Sequence, residues 1–315
     1  MADMPFFCMQ KGIRMREPIV EPVKNPEPES STTTVENKGR RDFLRHSAAG
    51  VSIFVASSPL ARAMSFDDEF EVEHKTVRLR RLPEKLKGTK IAMISDIHSG
   101  PYMSHQEMLP FMKRIRELKP DVVLIPGDFV DRDIAQADPV CEALRTIEAP
   151  YGVYGCTGNH DYYADADYVS NELQNAGVRM LRNEHAVLDI KGEQLALIGV
   201  DDIGSEQPFD PAFRQAVQGL KRSIPNILLC HKPYYLDDAS EWGVDFMVSG
   251  HTHGGQFVLA RVLGTVITPA ALFSGYIEGL YRRDRSQLYV TRGIGTVGIP
   301  VRLNCPPEIT LITLV

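Results

Sequence analysis

The chain is poor in cysteine, with five among 315 residues: Cys8, Cys141, Cys156, Cys230 and Cys305. None falls in a Cys-x-x-Cys pair and the spacing is irregular, which excludes a disulfide framework and a cysteine-built structural zinc site. Cys156 and Cys230 sit inside apolar runs and read as small buried hydrophobes. The chain also lacks a surplus of positive charge. Its formal net charge of -6 excludes a nucleic-acid-binding surface as its main business. It lacks a long apolar run as well: the longest near the N-terminus, Ala48 to Val55, is short and rich in Ala, Gly and Ser, too little for a membrane span. What remains is ordinary globular composition, 43% hydrophobic and 24% charged, enough for a sizeable core.

Residues 1–63 read as separate from the folded domain. Residues 17 to 39 are rich in Pro, Glu, Ser and Thr, a composition that does not fold on its own. They are followed by "RRDFLR", with Arg40 and Arg41 adjacent, then the short apolar stretch, then Ala61-Arg62-Ala63, which has the small-x-small form of a cleavage site. The segment resembles a twin-arginine export signal, although Gly39 stands where Ser or Thr is usual. The resemblance implies recognition by the twin-arginine export machinery and a location in the periplasm or on the outer face of the cytoplasmic membrane. The domain is expected over 64–315.

Within the domain five apolar runs of strand length and β-branched content end alike. "KIAMISDIH" ends in Asp96 and His98, "DVVLIPGD" in Asp128, and "YGVYGCTGNHD" in Asn159, His160 and Asp161. "NILLCH" ends in His231 and "VDFMVSGHTH" in His251 and His253. Each terminates in a side chain able to bind a cation. One such end is unremarkable. Five imply a single shared site at one edge of a sheet, because ligands of α/β proteins gather beyond the carboxyl ends of the strands. Helices are expected between the runs, over Gln106 to Leu118, Asp138 to Ile147, Tyr163 to Ala176 and Pro211 to Leu220, which gives an α/β fold. Five of the nine histidines lie at these ends; His74, His105 and His185 have no such neighbours and read as surface or structural residues.

Taken in order, Asp96-Ile97-His98, "GDFVD" from Gly127, "GNHD" from Gly158, the single His231 and "GHTHGG" from Gly250 resemble the calcineurin-like metallophosphoesterases, over about Arg78 to the C-terminus. The resemblance implies a four-layer α/β/β/α sandwich with two mixed central sheets. It implies two divalent metal ions, manganese, iron or zinc, the metals that carboxylate and imidazole donors suit. By position Asp96, His98, Asp128 and His253 would hold the first ion. Asp128, Asn159, His231 and His251 would hold the second, so Asp128 bridges. It further implies hydrolysis of a phosphoester by direct attack of a metal-bridging hydroxide, with two ions about 3.5–4 Å apart flanking an in-line displacement. His160 would contact the phosphate or protonate the leaving oxygen, Asp161 would orient that ring, and Asp131 would be a further supporting acid. Asp201 and Asp202 follow another apolar run and have no assigned role.

A metallo-β-lactamase type of site also uses His-x-His, but it wants Asp and His shortly afterwards, where this chain has Gly254-Gly255-Gln256. A metal-binding protein without turnover leaves the His160-Asp161 pair unexplained. The resemblance implies a phosphodiester substrate, or alternatively a lipid-linked nucleotide such as UDP-diacylglucosamine, with peripheral membrane contact. The apolar stretch 257–276 bears on that choice. It reads either as a core strand and loop or as an apolar lip beside the metals.

Overall fold

The computed structural model describes residues 70–202, 209–262 and 265–315. The export leader expected over 1–63 lies outside the described residues. Two six-stranded mixed sheets form the centre. The first has the order β1 (Glu71–Val77), β14 (Glu308–Leu314), β2 (Lys90–Met93), β3 (Val122–Pro126), β4 (Val153–Cys156), β5 (Val178–Met180). The second has the order β12 (Gly279–Arg283), β13 (Ser286–Val290), β9 (Phe246–Ser249), β8 (Asn226–Leu229), β7 (Glu193–Gly199), β6 (Glu184–Ile190). β2, β3, β4 and β5 run parallel, as do β7, β8, β9 and β13; the antiparallel pairs are β14 with β2, β12 with β13 and β6 with β7.

The alternation of side chains along each strand builds the layers. On β2, Ala92 joins a cluster with Met108, Met112 and Val140, whereas its neighbours Ile91 and Met93 join a different one. That second cluster pairs Val122 and Leu124 of the first sheet with Leu197, Ile227, Leu229, Phe246 and Val248 of the other, so it fills the space between the sheets. The remaining faces of β7, β8 and β9 supply Ile198, Leu228 and Met247, which meet Phe213 and Leu236. Helices α1 (His105–Leu118), α2 (Ala137–Leu144), α3 (Asn159–Ala164) and α4 (Ala166–Asn175) belong with the first sheet, and α5 (Phe209–Ala216) and α6 (Leu236–Glu241) with the second. The result is the four-layer α/β/β/α sandwich.

All five ligand-ended runs are strands, namely β2, β3, β4, β8 and β9. They do not share one sheet, however. Three belong to the first and two to the second, so the site spans the carboxyl ends of both. The helix expected over Tyr163 to Ala176 is two helices. Asp165 breaks it with an extended backbone, and its carboxylate caps α4 by accepting from the backbone N–H of Asp167 at 3.1 Å and Tyr168 at 3.0 Å. Apart from Val258, which is fully buried, the apolar stretch 257–276 is not core. It carries a separate antiparallel strand pair, β10 (Ala260–Val262) with β11 (Thr265–Ile267), and a short 3₁₀ turn over Pro269–Leu272, with most of its described side chains exposed.

Candidate metal centre

Three of the five strand ends, those of β2, β3 and β9, deliver their ligands through a backbone turn that few residues tolerate. Asp96, His98, Asp128, His251 and His253 all have φ between 48° and 73°, the left-handed region. Asp and His accept that region more readily than most side chains, and such strain persists only where the surroundings enforce it. Two glycines allow the loops to approach. A Cβ on Gly250 would lie 2.1 Å from Asp96 Oδ2, and one on Gly158 would lie 2.2 Å from Asp128 Oδ1. "GHTHGG" and "GNHD" therefore need glycine beside the carboxylate of a different strand.

Asp128 is at the centre. Its Oδ1 accepts from the His160 backbone N–H at 2.8 Å, and its Oδ2 faces His231 Nε2 at 3.1 Å and His98 Nε2 at 3.5 Å. On one side, His98 Nε2 and His253 Nε2 approach to 3.0 Å, and His253 Nε2 lies 3.5 Å from Asp96 Oδ1. On the other, His231 Nε2 meets His251 Nδ1 at 3.3 Å. Asp96 is itself held by the His251 backbone N–H at 2.8 Å. Asn159 opens α3 with its Oδ1 buried and unpaired. All seven residues implied as metal ligands thus stand at the ends of these strands, and all but Asn159 are tied by short distances into one cluster around Asp128.

The donors fit metal ions. Among the described residues, three groups offer three donor atoms within 4.8 Å of one another: Asp96, His98 and His253; His98, Asp128 and His160; Asp96, Asp128 and His231. Asp96 Oδ2 and Asn159 Oδ1 are buried with no hydrogen-bond partner, an arrangement that is costly without a cation. His231 donates Nδ1–H to the Pro126 carbonyl at 2.8 Å, which directs its Nε2 inward as a ligand requires. Burial and the neighbouring His231 charge push His251 down to about 3, and burial and His98 hold His253 well below the usual imidazole range. Both rings are therefore neutral. Burial pushes Asp128 upward, but His231 and His98 outweigh it and hold the carboxyl well below its usual value. Burial alone would lower His231, but Asp128 raises it to about 10.

His160 does not depend on Asp161 for its orientation. Its Nδ1 lies 2.7 Å from the Asp131 carbonyl and 3.1 Å from Asp131 Oδ1, so Asp131 positions the ring. Asp161 points the other way. Fully buried, it accepts from the backbone N–H groups of Asp128 at 3.1 Å, Phe129 at 2.9 Å, Val130 at 3.2 Å and Gly158 at 2.8 Å. Its carboxylate is consumed in tying the Asp128 loop to the start of α3. Asp201 and Asp202 ion-pair with Arg182 and Lys232 at 2.9 and 3.0 Å. Sequence reasoning passed over Arg302, which is buried. Its guanidinium donates to the carbonyls of Arg292 at 2.8 Å, Gly293 at 3.2 Å, Gly295 at 3.1 Å and Cys305 at 3.2 Å, and reaches that of His253 at 3.5 Å. An isolated arginine with no carboxylate partner gives no pattern by which to find it. Cys156 and Cys230 are buried and take no part.

A family profile described as calcineurin-like phosphoesterase matches residues 89–255, and the chain belongs to that family. It is 33% identical over 249 residues to a "Transmembrane protein with metallophosphoesterase domain" of Danio rerio, covering 76% of this chain and 56% of that one. It is 32% identical over 287 residues to the "Uncharacterized metallophosphoesterase YkuE" of Bacillus subtilis (strain 168), covering 89% of this chain and 99% of that one. Among solved structures, TT1561 of Thermus thermophilus aligns with 14% identity and a TM-score of 0.44 over 65% of this chain and 89% of that chain. The chain thus spans little more than half of the zebrafish relative and nearly all of the Bacillus one. Among the described residues, no helix is long and apolar enough to cross a membrane.

Proposed function

We propose that the chain hydrolyses a phosphodiester, with two divalent ions such as manganese, iron or zinc held on either side of Asp128. The observation that carries this reading is the convergence of Asp96, His98, His231, His251 and His253, from the ends of β2, β8 and β9, around the Asp128 carboxylate at the end of β3. The ions would supply Lewis acidity and an activated water to the displacement. The chain's own residues do the rest. Asp96, His98 and His253 form one set of donors and Asn159, His231 and His251 the other. His160, anchored through Nδ1 on Asp131, leaves its other ring nitrogen to carry a proton to the departing oxygen. Asp161 and Arg302 keep the loops in place. A diester is favoured over a monoester because the mouth offers little positive charge beyond the metals. Lys232 is tied to Asp202, which leaves Arg132, beside Asp131, among the described residues there. A singly charged diester needs less compensation than a dianionic monoester.

Dialysis against a chelator, followed by assay of a chromogenic diester and monoester with and without added manganese, tests the reading. Activity that needs the metal and favours the diester supports it. Metal-independent turnover, or a preference for the monoester, overturns it. We also propose that the protein acts outside the cytoplasm, delivered by the twin arginines of its leader. Replacing Arg40 and Arg41 with lysine should strand an active enzyme in the cytoplasm in a cell-fractionation experiment, and equal retention of the wild type would sink that proposal.

A further inference from the structure

A cavity separate from the metal centre opens at the far edge of the second sheet. It encloses about 590 Å³ between α5, α6 and the amino ends of the strands. Asn226 opens β8, Asp245 directly precedes β9 and Arg285 directly precedes β13, and all three line it. His231, His251 and His253 instead follow the carboxyl ends of β8 and β9, so the two sites lie at opposite edges. The volume falls in the range of small-molecule sites, roughly 300–1,000 Å³.

The cavity has an apolar floor and a basic rim. Phe213 and Val244 are buried beneath it, and Trp242, the chain's single tryptophan, forms a wall. That wall is fixed in place. Trp242 Nε1 donates to Asp210 Oδ1 at 2.8 Å, its ring lies 5.6 Å from that of Phe213, and the Arg214 guanidinium lies 4.6 Å from its centroid. Around the mouth stand Arg80, Lys221, Arg222 and Arg285, all exposed. None of these four pairs with a carboxylate among the described residues. Arg81 differs. Its Nε and Nη2 donate to Asp245 at 3.2 and 2.7 Å and its Nη1 donates to the Arg222 carbonyl, which ties the Lys221-Arg222 segment to the rim. Glu241 and Asp284 also reach the cavity, which leaves four unpaired cations against two carboxylates in a chain of formal net charge -6. Positive charge gathered over aromatic rings suits a ligand with an anionic group and a flat apolar body.

We infer that this cavity is a binding site for a small organic anion that carries an aromatic ring, with the ring against Trp242 and the anionic group among Arg80, Lys221, Arg222 and Arg285. The site stands apart from the metal centre and does not depend on the phosphodiesterase reading. An inorganic anion would meet the rim but bury no apolar surface. An uncharged ring would meet the floor but leave the cations repelling one another. Binding therefore needs both parts in one molecule.

The probe is benzenesulfonate, titrated into the manganese-loaded full chain at physiological salt, with binding read by calorimetry and by tryptophan emission. Trp242 is the only tryptophan, so its emission reports on this wall. Saturable heat with a matching change in emission is expected, and sodium sulfate and benzyl alcohol should each bind about tenfold more weakly or worse. Lys221→Ser with Arg222→Ser should weaken benzenesulfonate about tenfold, as loss of two exposed charges does. Lys113→Ser, which removes an exposed cation from α1, should leave its affinity unchanged, and so should removal of manganese with a chelator. Absence of saturable binding overturns the inference. So does sulfate or benzyl alcohol binding as tightly as benzenesulfonate, or an affinity unmoved by the double substitution. Binding that is lost on chelation places the probe at the metals and overturns it as well.

Discussion

The two sheets contribute unlike halves to the metal centre. The first sheet's strand ends carry both carboxylates, the amide and two imidazoles: Asp96, His98, Asp128, Asn159 and His160. The second sheet's ends carry imidazoles alone, His231, His251 and His253. The devices that hold the halves differ in kind, an acceptor on one side and a donor on the other. A buried carboxyl, Asp161, pushed up to about 7 by burial and by Asp128, gathers backbone N–H groups around the loop of Asp128. A buried cation, Arg302, gathers backbone carbonyls of the 292–295 segment and reaches that of His253. Irregular loops cannot satisfy their own polar groups when buried. Here one acceptor side chain and one donor side chain each satisfy several at once.

The sharpest way to break the comparison is to remove the group both halves share. Asp128→Asn should abolish turnover and lower metal content on both sides, because Oδ2 faces His98 of one half and His231 of the other. Metal analysis that still returns two ions per chain, with normal turnover, would falsify the shared-ligand assignment. Next in size, His160→Ala should keep both metals and lose about 10²–10⁴-fold in kcat, the usual contribution of a proton-transfer group. A lost ion would instead make His160 a ligand, a reading open to it because it shares a donor group with His98 and Asp128.

Smaller effects separate the clamps. Asp161→Asn keeps one acceptor oxygen but turns an amide toward N–H donors, and should weaken metal binding about 10–100-fold, as loss of a supporting hydrogen bond does. Arg302→Met leaves several buried carbonyls without donors, and should cost about 3 kcal/mol of stability and loosen His253 before His231. Calorimetric unfolding and metal titration check both. If the two variants lose metal in the same order and to the same extent, the halves are not separately held.

The ligands were legible in sequence because a strand ending in Asp, Asn or His is a local pattern, repeated five times. The clamps were not. Asp161 adjoins His160 in sequence and reads as its partner, yet a helical turn aims the two side chains apart, one to backbone amides and the other to Asp131. Arg302 acts on carbonyls, which every residue has. The 257–276 stretch was ambiguous for a different reason: an apolar run is spelled alike whether it lies in a core or on a surface. The layers were readable only as a class, since one strand's alternation does not say which sheet it will face.

The smallest predicted effect concerns protons, and it divides the imidazoles of the second sheet's half among themselves. Asp128 raises His231 to about 10, whereas His251 lies near 3. Without metal at pH 8, His231 is therefore charged and His251 neutral. A raised imidazole stabilises the metal-free fold fully below its ordinary value near 6.5, and that contribution fades as pH climbs through about 10. A cation needs the free Nε2 of His231, so metal uptake at pH 8 must expel that proton. Affinity should then rise about tenfold per pH unit from 6.5 toward 10, and metal should protect the fold more strongly at pH 9 than at pH 7. His251 contributes no such slope in this range because it is already neutral. Calorimetric titration with manganese in two buffers of different ionisation enthalpy counts the protons released. Release of at least one proton per chain at pH 8 supports a charged imidazole on Asp128, with His98, also raised by Asp131 and Asp128, able to add to the count. None would mean that Asp128, from the first sheet, does not hold a charged imidazole of the second before the metal arrives, and the two halves would then be coupled through the metals alone.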